Sequence, residues 1–289
     1  MSKTPELRTK AGEIVPWGDI VLPIVVIHRD RIYCVGTCFV TSHEGYIFTA
    51  KHVFEGTNEA FGTTSGESEE KTNYEAYALW LMKDGKHHVP RPIDKVWMND
   101  STDICVGWLR TMSLENNVRH YDKSAVLHLL PPQVGDKVFT FAYPQVGINY
   151  SEKTINGVQA VDLDLKKTEQ WGTVEDVSHE GISLCRWPAF QVNFGVECGA
   201  SGGPVFNVKG ELIGIISTSS EGDNPYTIVS SIWPALGIET QVKFNETAPI
   251  TTIRILDLVK KGFIVANDSL KYISIVGNPQ KLQLYEPIR

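Results

Sequence analysis

The sequence predicts an all-β fold built from antiparallel barrels. Short apolar runs follow one another along most of the chain, and polar or Gly- and Pro-bearing turns separate them. Strands at this spacing are typical of barrels, whereas a doubly wound sheet needs a helix between successive strands. Only one clear helical pattern is present, near the C-terminus, which favours barrels.

The strand-like runs form two groups. The first group contains IVVIHRD, IYCVGTCFVT, YIFTA, EAYALWLM and ICVGWL. The second contains KVFTFAYP, VQAVDLDL, GTVEDV, FQVNF, PVFNV, LIGIIS and TIVSSI. Residues 111–135 lie between the groups, and their Pro-Pro pair and polar content indicate a connection between two halves. In ITTIRILDLVKKGFIV, Thr251 or Thr252 is the expected cap of a late helix that stops at Gly262.

Composition and charge exclude several classes of function. Apolar residues make up 42% of the 289 positions, enough to bury a sizeable core. The formal net charge of −7 does not favour a nucleic-acid partner. The N-terminus lacks the apolar region of a signal peptide, and the run IVLPIVVI is too short to span a membrane. We therefore expect a cytoplasmic protein without a membrane or nucleic-acid partner.

The stretch ECGASGGPVF, residues 197–206, surrounds Ser201 with three glycines. Glycine tolerates positive φ and lets another molecule approach the backbone, at an entropic cost that needs a reason. Runs of Gly and Ser also form plain turns and linkers, but this run leads directly into apolar strand-like segments. A reactive serine and an ordinary turn both stay open at this point.

A nucleophilic serine needs a base, and the base needs a group that orients it. His52 is the best placed of the eight histidines, because it follows the apolar run GYIFTA at the turn after a predicted strand. A lone histidine at such a place is more often structural. The remaining histidines lie in a polar turn or have no comparable context: His28, His43, His87, His88, His120, His128 and His179.

Three segments in register carry a resemblance to a known family. GTCFVTSHEGYIFTAKHVF, STDICVGWL and GASGGPVFN are similar to the signature segments of the chymotrypsin-like (trypsin-fold) serine peptidases. The resemblance implies two packed six-stranded antiparallel β-barrels, here with a C-terminal helix and extension. It divides the chain into an N-terminal segment, a first barrel, a second barrel and the extension, at residues 1–19, 20–122, 123–245 and 246–289.

The same resemblance implies a serine endopeptidase that forms an acyl-enzyme. Ser201 would be the nucleophile, His52 the general base and then acid, and Asp103 the carboxylate that orients the imidazole. The backbone N–H groups of Gly199 and Ser201 would form the oxyanion hole. The primary substrate pocket would be lined by Gly195, Val196, Ser217, Thr218 and Ser219.

The expected pocket favours a small or medium apolar side chain such as Val, Ala or Leu. No aspartate stands at its base, Glu197 is expected to point outward, and the side chain of Ser219 narrows the entrance. The partner is therefore a protein or peptide substrate with an uncharged residue before the scissile bond.

Asp103 is preferred to Asp100 because it directly precedes the apolar run ICVGWL, whereas Asp100 lies in the turn-like MNDS. A buried carboxylate needs hydrogen-bond partners. Ser217 matches the serine that usually supplies one in this family. A strand serine that faces solvent is an equally good interpretation of Ser217.

Two features differ from the secreted members of the family. Ala200 stands where those enzymes carry an aspartate that pairs with a newly cut N-terminus, so that mode of activation is excluded. The five cysteines do not fall at the family's bridge positions, and an odd number suggests reduced thiols: Cys34, Cys38, Cys105, Cys185 and Cys198. The chain is more similar to the disulfide-free bacterial trypsin-like peptidases, and any control is expected to be conformational or through a partner.

We expect neither a metal nor a cofactor. Glu67, Glu69 and Glu70 lack a calcium-ligand spacing, and the adjacent His87 and His88 point to different sides of an extended chain.

Two other functions stay open: a catalytically inactive trypsin-fold binding module, and an esterase or acyltransferase with the same triad. The pattern G-x-S-x-G of α/β-hydrolases occurs formally at 199–203, but there the histidine follows the serine. The C-terminal extension is either a packing element or a surface for a regulatory partner or oligomer.

Overall fold

A computed structural model describes residues 6–8, 12–61, 74–81, 88–110, 113–114, 117–118, 123–155, 158–242, 249–277 and 281–285. Within these ranges no helix is long and apolar enough to cross a membrane. Four residues weighed above as metal ligands lie outside the described residues: Glu67, Glu69, Glu70 and His87.

The first half of the chain forms a closed six-stranded antiparallel barrel. A short hairpin, β1 (Leu7–Arg8) and β2 (Ile14–Val15), and a 3₁₀ turn, Trp17–Asp19, precede it. The barrel strands are β3 (Val21–His28), β4 (Arg31–Val40), β5 (Tyr46–Ala50), β6 (Glu75–Leu81), β7 (His88–Met98) and β8 (Ile104–Leu109). They pair in the order β3-β4-β5-β8-β7-β6, and β6 returns to β3. Helix α1 (Lys51–Phe61) begins where β5 ends.

The second half repeats this topology. After a hairpin of β9 (Ser113–Leu114) and β10 (Asn117–Val118), the strands are β11 (Lys137–Ile155), β12 (Val158–Ser178), β13 (Ala189–Val192), β14 (Pro204–Asn207), β15 (Leu212–Ser220) and β16 (Tyr226–Ser231). They pair in the order β11-β12-β13-β16-β15-β14, and β14 returns to β11. The predicted fold of two six-stranded antiparallel barrels is confirmed.

The C-terminal extension packs against the barrels. A 3₁₀ helix at Trp233–Gly237 and β17 (Glu239–Val242) precede it. Its own elements are β18 (Thr251–Arg254), α2 (Ile255–Lys260), a 3₁₀ helix at Asp268–Tyr272, β19 (Ile273–Val276) and β20 (Lys281–Leu284). Six of its Ile, Leu and Val side chains join the main hydrophobic core: Ile255, Leu256, Leu258, Val259, Ile264 and Ile273. Full burial of such a side chain contributes about 1.5–3 kcal/mol, so the extension stabilises the fold.

The helices differ from the sequence expectation. Thr251 and Thr252, expected to cap the late helix, lie in β18, where β-branched residues are favoured and pair with β17. Helix α2 begins at Ile255, and Gly262 follows its end with a φ of +80°. Helix α1 was not predicted, and it carries His52 in its first turn.

Two strands also differ from the sequence reading. The sequence predicts a turn at His88, but strand β7 begins there and continues through Pro90 and Pro92. Its proline-bearing part pairs only with β6, so the missing N–H groups are tolerated on the other edge. Strand β12 joins the predicted strands VQAVDLDL and GTVEDV through residues 166–171, and Gly172 opens the second of these. A Cβ on Gly172 would lie 2.5 Å from Phe194 Cδ1, so the glycine allows this close contact within the strand.

Candidate active site

Strand β5 and helix α1 together place His52 at the end of the first barrel. Every residue of β5 is buried, and its last residue, Ala50, pairs with Ile104 of β8. The N–H of Lys51 then donates to the carbonyl of Asp103 over 3.0 Å, which holds the start of α1 against the loop before β8. The imidazole of His52 remains 42% exposed and is therefore accessible to a substrate.

Asp103 binds both the ring and the backbone of His52. Its Oδ2 lies 2.8 Å from Nδ1 of the ring, and its Oδ1 accepts the backbone N–H of His52 over 3.0 Å. Asp103 is only 4% exposed. Because an ionised carboxylate only accepts hydrogen bonds, Nδ1 carries the proton and Nε2 of the neutral ring is left as the basic nitrogen.

Ser217 supplies the third hydrogen bond to this carboxylate. Its buried hydroxyl donates to Asp103 Oδ2 over 2.5 Å. A register shift between Ile216 and Thr218 in β15 lies at this residue, and such irregularities re-aim side chains. Of the two interpretations of Ser217 left open above, the buried partner of the carboxylate is the one observed.

Asp100 lies apart from this cluster. Its side chain is fully exposed and accepts a hydrogen bond from Lys51 Nζ over 2.9 Å. That hydrogen bond, together with the charge of Lys51, lowers the pKa of Asp100. The structure therefore brings Asp103, and not Asp100, to His52.

The turn around Ser201 lies against the first barrel. The carbonyl of Ser201 accepts the N–H of Thr37 in β4 over 2.9 Å, and the N–H of Gly202 donates to Ile216 over 2.9 Å. Gly202 has a φ of +84°, and a Cβ there would lie 2.1 Å from Thr49 Oγ1. Since Thr49 precedes His52 by only three positions in the chain, this contact holds the serine turn beside the end of β5. Gly202 is thus required by the contact between the barrels.

Gly199 adopts a left-handed conformation next to β11. Its φ is +93°, and a Cβ there would lie 2.3 Å from the carbonyl oxygen of Pro144. Among the residues that the structure describes, the N–H groups of Gly199 and Ser201 donate no hydrogen bond. Neighbouring backbone N–H groups that no protein acceptor occupies are the kind of donor from which an oxyanion hole is built.

The segment before Ser201 binds directly to strand β15. The N–H of Val196 donates to Ser219 Oγ over 2.9 Å, and Ser219 Oγ also lies 3.1 Å from the carbonyl of Tyr226. A Cβ on Gly195 would lie 2.9 Å from the carbonyl oxygen of Ser220 and 3.0 Å from Pro225. Val196 is buried and Thr218 is exposed. Of the expected pocket residues, Val196 and Ser219 are therefore in direct contact, and Gly195 lies close to the end of β15.

Glu197 points away from these contacts. Lys166 Nζ of β12 lies 3.2 Å from Glu197 Oε1, and both side chains are about half exposed. No other acidic residue occurs in residues 194–201, so the segment presents no carboxylate to a substrate cation.

Thr37 is the residue at this site that sequence reasoning missed. Its hydroxyl and N–H bind the turn that carries Gly199 and Ser201. The only signal was its place in the motif segment GTC, because a threonine in a predicted strand is otherwise ordinary.

The five cysteines are free thiols, and one of them, Cys185, is hydrogen-bonded to Ser217. Burial raises the pKa of Cys34 to about 11 and raises the pKa of Cys38 and Cys105 as well. Cys198 is exposed and directly precedes Gly199. In the described part of the chain, no group of three or more His, Cys, Asp and Glu side chains could hold a metal ion.

Comparison with known proteins identifies one family. The family described as the trypsin-like peptidase domain matches residues 36–215, more than half of the chain. No curated protein matches.

Several solved structures are similar. The active form of the Rv3671c protease from M. tuberculosis covers 74% of this chain and 76% of its own, at 17% identity and a TM-score of 0.46. Deg5 covers 73% of this chain and 84% of its own, at 19% identity and a TM-score of 0.49. The MamO protease domain from Magnetospirillum magneticum covers 74% of this chain and 92% of its own, at 14% identity and a TM-score of 0.45.

Proposed function

Because the chain belongs to the trypsin-like peptidase family, we propose that it is a serine endopeptidase with the triad Ser201, His52 and Asp103. The observation that supports this proposal most directly is the buried carboxylate of Asp103, 2.8 Å from His52 Nδ1. That contact directs the basic nitrogen of the ring away from Asp103. The Ser201 turn lies next to β5, the strand that ends two residues before His52.

In the proposed reaction, Ser201 Oγ attacks the scissile carbonyl while His52 Nε2 takes its proton. The N–H groups of Gly199 and Ser201 stabilise the oxyanion of the tetrahedral intermediate. His52 then gives the proton to the departing amine, which leaves an acyl group on Ser201. A water molecule, activated by His52, releases the acyl group and restores the serine.

The substrate is proposed to be a protein or peptide with a small apolar residue before the scissile bond. The direct hydrogen bond between Val196 and Ser219 and the contact of Gly195 with Pro225 leave little room for a long side chain. Such a pocket discriminates by about 1–3 kcal/mol for each methylene-sized difference. Because Glu197 pairs with Lys166, cleavage after Lys or Arg is not expected.

Activity is proposed for the unclipped chain in a cytoplasmic setting. Ala200 is fully buried and has no carboxylate with which to bind a released N-terminal amine. Any control would act through a change of conformation or a regulatory partner at the C-terminal extension.

The test is to treat the full-length protein with a serine-reactive fluorophosphonate and to profile cleavage of a peptide library. We expect wild type to be labelled and to cleave after Ala, Val or Leu. Ser201→Ala should lose labelling and lower kcat by roughly 10⁶-fold. The exposed Ser101, whose hydroxyl binds Asn99, provides the control variant Ser101→Ala with wild-type activity.

The other candidate functions give different results. An inactive binding module would neither react with the probe nor cleave peptides. An esterase or acyltransferase would react with the probe and hydrolyse an activated ester, yet leave the peptide library intact. Near-normal peptide cleavage by Ser201→Ala would contradict the assignment of the nucleophile.

A further inference from the structure

The side chain of Thr37 joins three separate parts of the active-site region. Thr37 lies in β4 and is completely buried. Its hydroxyl donates to the carbonyl of Gly199 over 3.0 Å and accepts the N–H of Tyr143 in β11 over 3.1 Å. One hydroxyl thus connects a strand of the first barrel, a strand of the second barrel and the turn before the nucleophile.

The backbone of Thr37 contacts the same region. Its N–H donates to the carbonyl of Ser201 over 2.9 Å, and its carbonyl accepts the hydroxyl of Thr49 over 2.7 Å. Thr49 lies in the strand that ends just before His52. Each hydrogen-bonding group of Thr37 therefore binds a segment that carries a proposed catalytic group or directly precedes one.

The hydroxyl restricts the conformation of Gly199. A glycine can adopt many backbone conformations, so its peptide groups need external contacts to stay in one orientation. The C=O and N–H of a planar trans peptide point in opposite directions. With the Gly199 carbonyl turned toward Thr37, the N–H of Ala200 points to the carbonyl of Glu197, 3.2 Å away. The N–H groups of Gly199 and Ser201 are left for the substrate.

We propose that Thr37 is a positioning residue that holds the oxyanion hole in its binding conformation through its side-chain hydroxyl. This role rests on the proposed peptidase function. Without the hydroxyl, the buried Gly199 carbonyl and Tyr143 N–H lose their common partner, and such groups shift to find another one. The peptide between Gly199 and Ala200 then rotates, and because it links the two peptides that carry the proposed donors, the N–H groups of Gly199 and Ser201 lose their common direction toward the developing oxyanion.

The test compares Thr37→Val, which keeps the side-chain shape, with Thr37→Ser, which keeps the hydroxyl. Thr37→Val should lower kcat on the order of 10- to 100-fold with KM unchanged, since loss of one oxyanion donor costs about 10²–10³-fold at most. It should weaken binding of a peptide aldehyde, which forms a tetrahedral adduct, by the same factor as kcat/KM. Thr37→Ser should stay within a few fold of wild type.

A matched control separates this role from a structural one. Thr41 is equally buried, and its hydroxyl donates to the carbonyl of Tyr46, away from the turn. Thr41→Val should lower the melting temperature but keep kcat and aldehyde binding. If Thr37→Val does not fold, Thr37→Ala provides the same comparison with a smaller side chain.

Two outcomes would overturn the ideas separately. Equal kcat and aldehyde affinity for the Thr37 and Thr41 variants would overturn the role of Thr37 while the peptidase function stands. A wild-type protein that neither reacts with the fluorophosphonate nor cleaves peptides would overturn the proposed function itself.

Discussion

Asp103 is the most constrained side chain of the site. Burial of an ionised carboxylate is costly unless hydrogen bonds replace water. Asp103 receives them from the His52 ring, the His52 backbone and the Ser217 hydroxyl. Each donor arrives from a fixed element, so the carboxylate and the imidazole hold each other in one orientation.

Asp103→Asn should lower kcat by about 10⁴-fold while the protein stays folded. The amide fits the same space, but its NH₂ group cannot accept the proton on Nδ1, so the imidazole is held in the wrong tautomer. Steady-state kinetics on the best library peptide measures the effect, and a melting curve checks the fold. Asp100→Asn, an exposed change three positions away, should leave kcat unchanged. A loss below tenfold for Asp103→Asn would show that this carboxylate does not orient the base.

Residues of the site differ in how far the sequence reveals them. Asp103 was predictable from the sequence because the apolar strand that follows it predicts a buried carboxylate. Thr37 was not, because its hydroxyl contacts are to residues 106 and 162 positions away in the chain. Such contacts arise only when two barrels pack, and a single sequence contains no local sign of that packing.

At the scale of elements, the irregular parts of strands place the site. The register between β11 and β12 shifts between Ala142 and Gln145. The residues within this shift, Tyr143 and Pro144, bind Thr37 and contact Gly199. Bulges bend strands and aim groups at functional sites, but their position follows from tertiary pairing and not from residue type.

Helix α1 was missed because its local signals are weak. The segment KHVFEGTNEAF contains Gly56 and has several residues of modest helix propensity. Burial of Val53, Phe54 and Thr57 against the barrel supplies the stability that propensity does not. Tertiary packing therefore decides the backbone conformation of His52.

Gly56→Ala should stabilise the protein by about 0.5–1 kcal/mol without changing kcat, because glycine in a helix costs that much relative to alanine. The site is exposed, and a Cβ there would meet nothing within 4 Å. The matched control is Gly107→Ala in β8, where a Cβ would lie 2.9 Å from Ile47, so that variant should be destabilised. Chemical denaturation measures both changes, and a less stable Gly56→Ala would contradict the helical conformation at this position.

At the scale of the whole molecule, one buried hydrophobic cluster extends through both barrels. Phe39 and Phe48 of the first barrel belong to the same buried cluster as Phe139, Phe141 and Phe206 of the second. The groups of the candidate site lie where the barrels meet, since β4 and β5 bind the turn that precedes β14. A site shared in this way depends on the packing of the entire chain, including the extension.

A partly buried polar network joins the extension to both the connection and the second barrel. Asn267, after α2, donates to Glu211 Oε1 over 2.8 Å, and its amide lies 2.7 Å from His128 Nδ1. Asn207 donates to the other oxygen of Glu211 over 2.8 Å. Because the Asn267 amide is a donor toward His128, Nδ1 of that ring is unprotonated in this arrangement.

This network predicts that the folded protein loses stability as the pH falls from 7 to 4. Burial lowers the pKa of His128 below its ordinary value of 6.5, despite the opposing charge of Glu211. As the pH falls, His128 is therefore protonated in the unfolded chain before it is protonated in the folded protein, and the loss of folding stability begins below pH 6.5. Burial opposes ionisation of Glu211, but hydrogen bonds from Asn207 and Asn267 outweigh it and lower the pKa. The stabilisation that ionised Glu211 contributes is fully present above pH 4.5, and it is lost as the pH falls through the pKa of Glu211 in the folded protein.

The variant that tests this account is His128→Gln, which removes the titrating ring while it keeps a polar side chain. Its melting temperature should fall less between pH 7 and pH 5 than that of wild type. Only the wild-type unfolded chain has the His128 imidazole, which binds a proton in this pH range. His43→Gln, at an exposed position in the turn between β4 and β5, should retain the wild-type slope. Melting curves at several pH values measure the slopes. Equal slopes for wild type and His128→Gln would show that the His128 network does not couple the extension to pH.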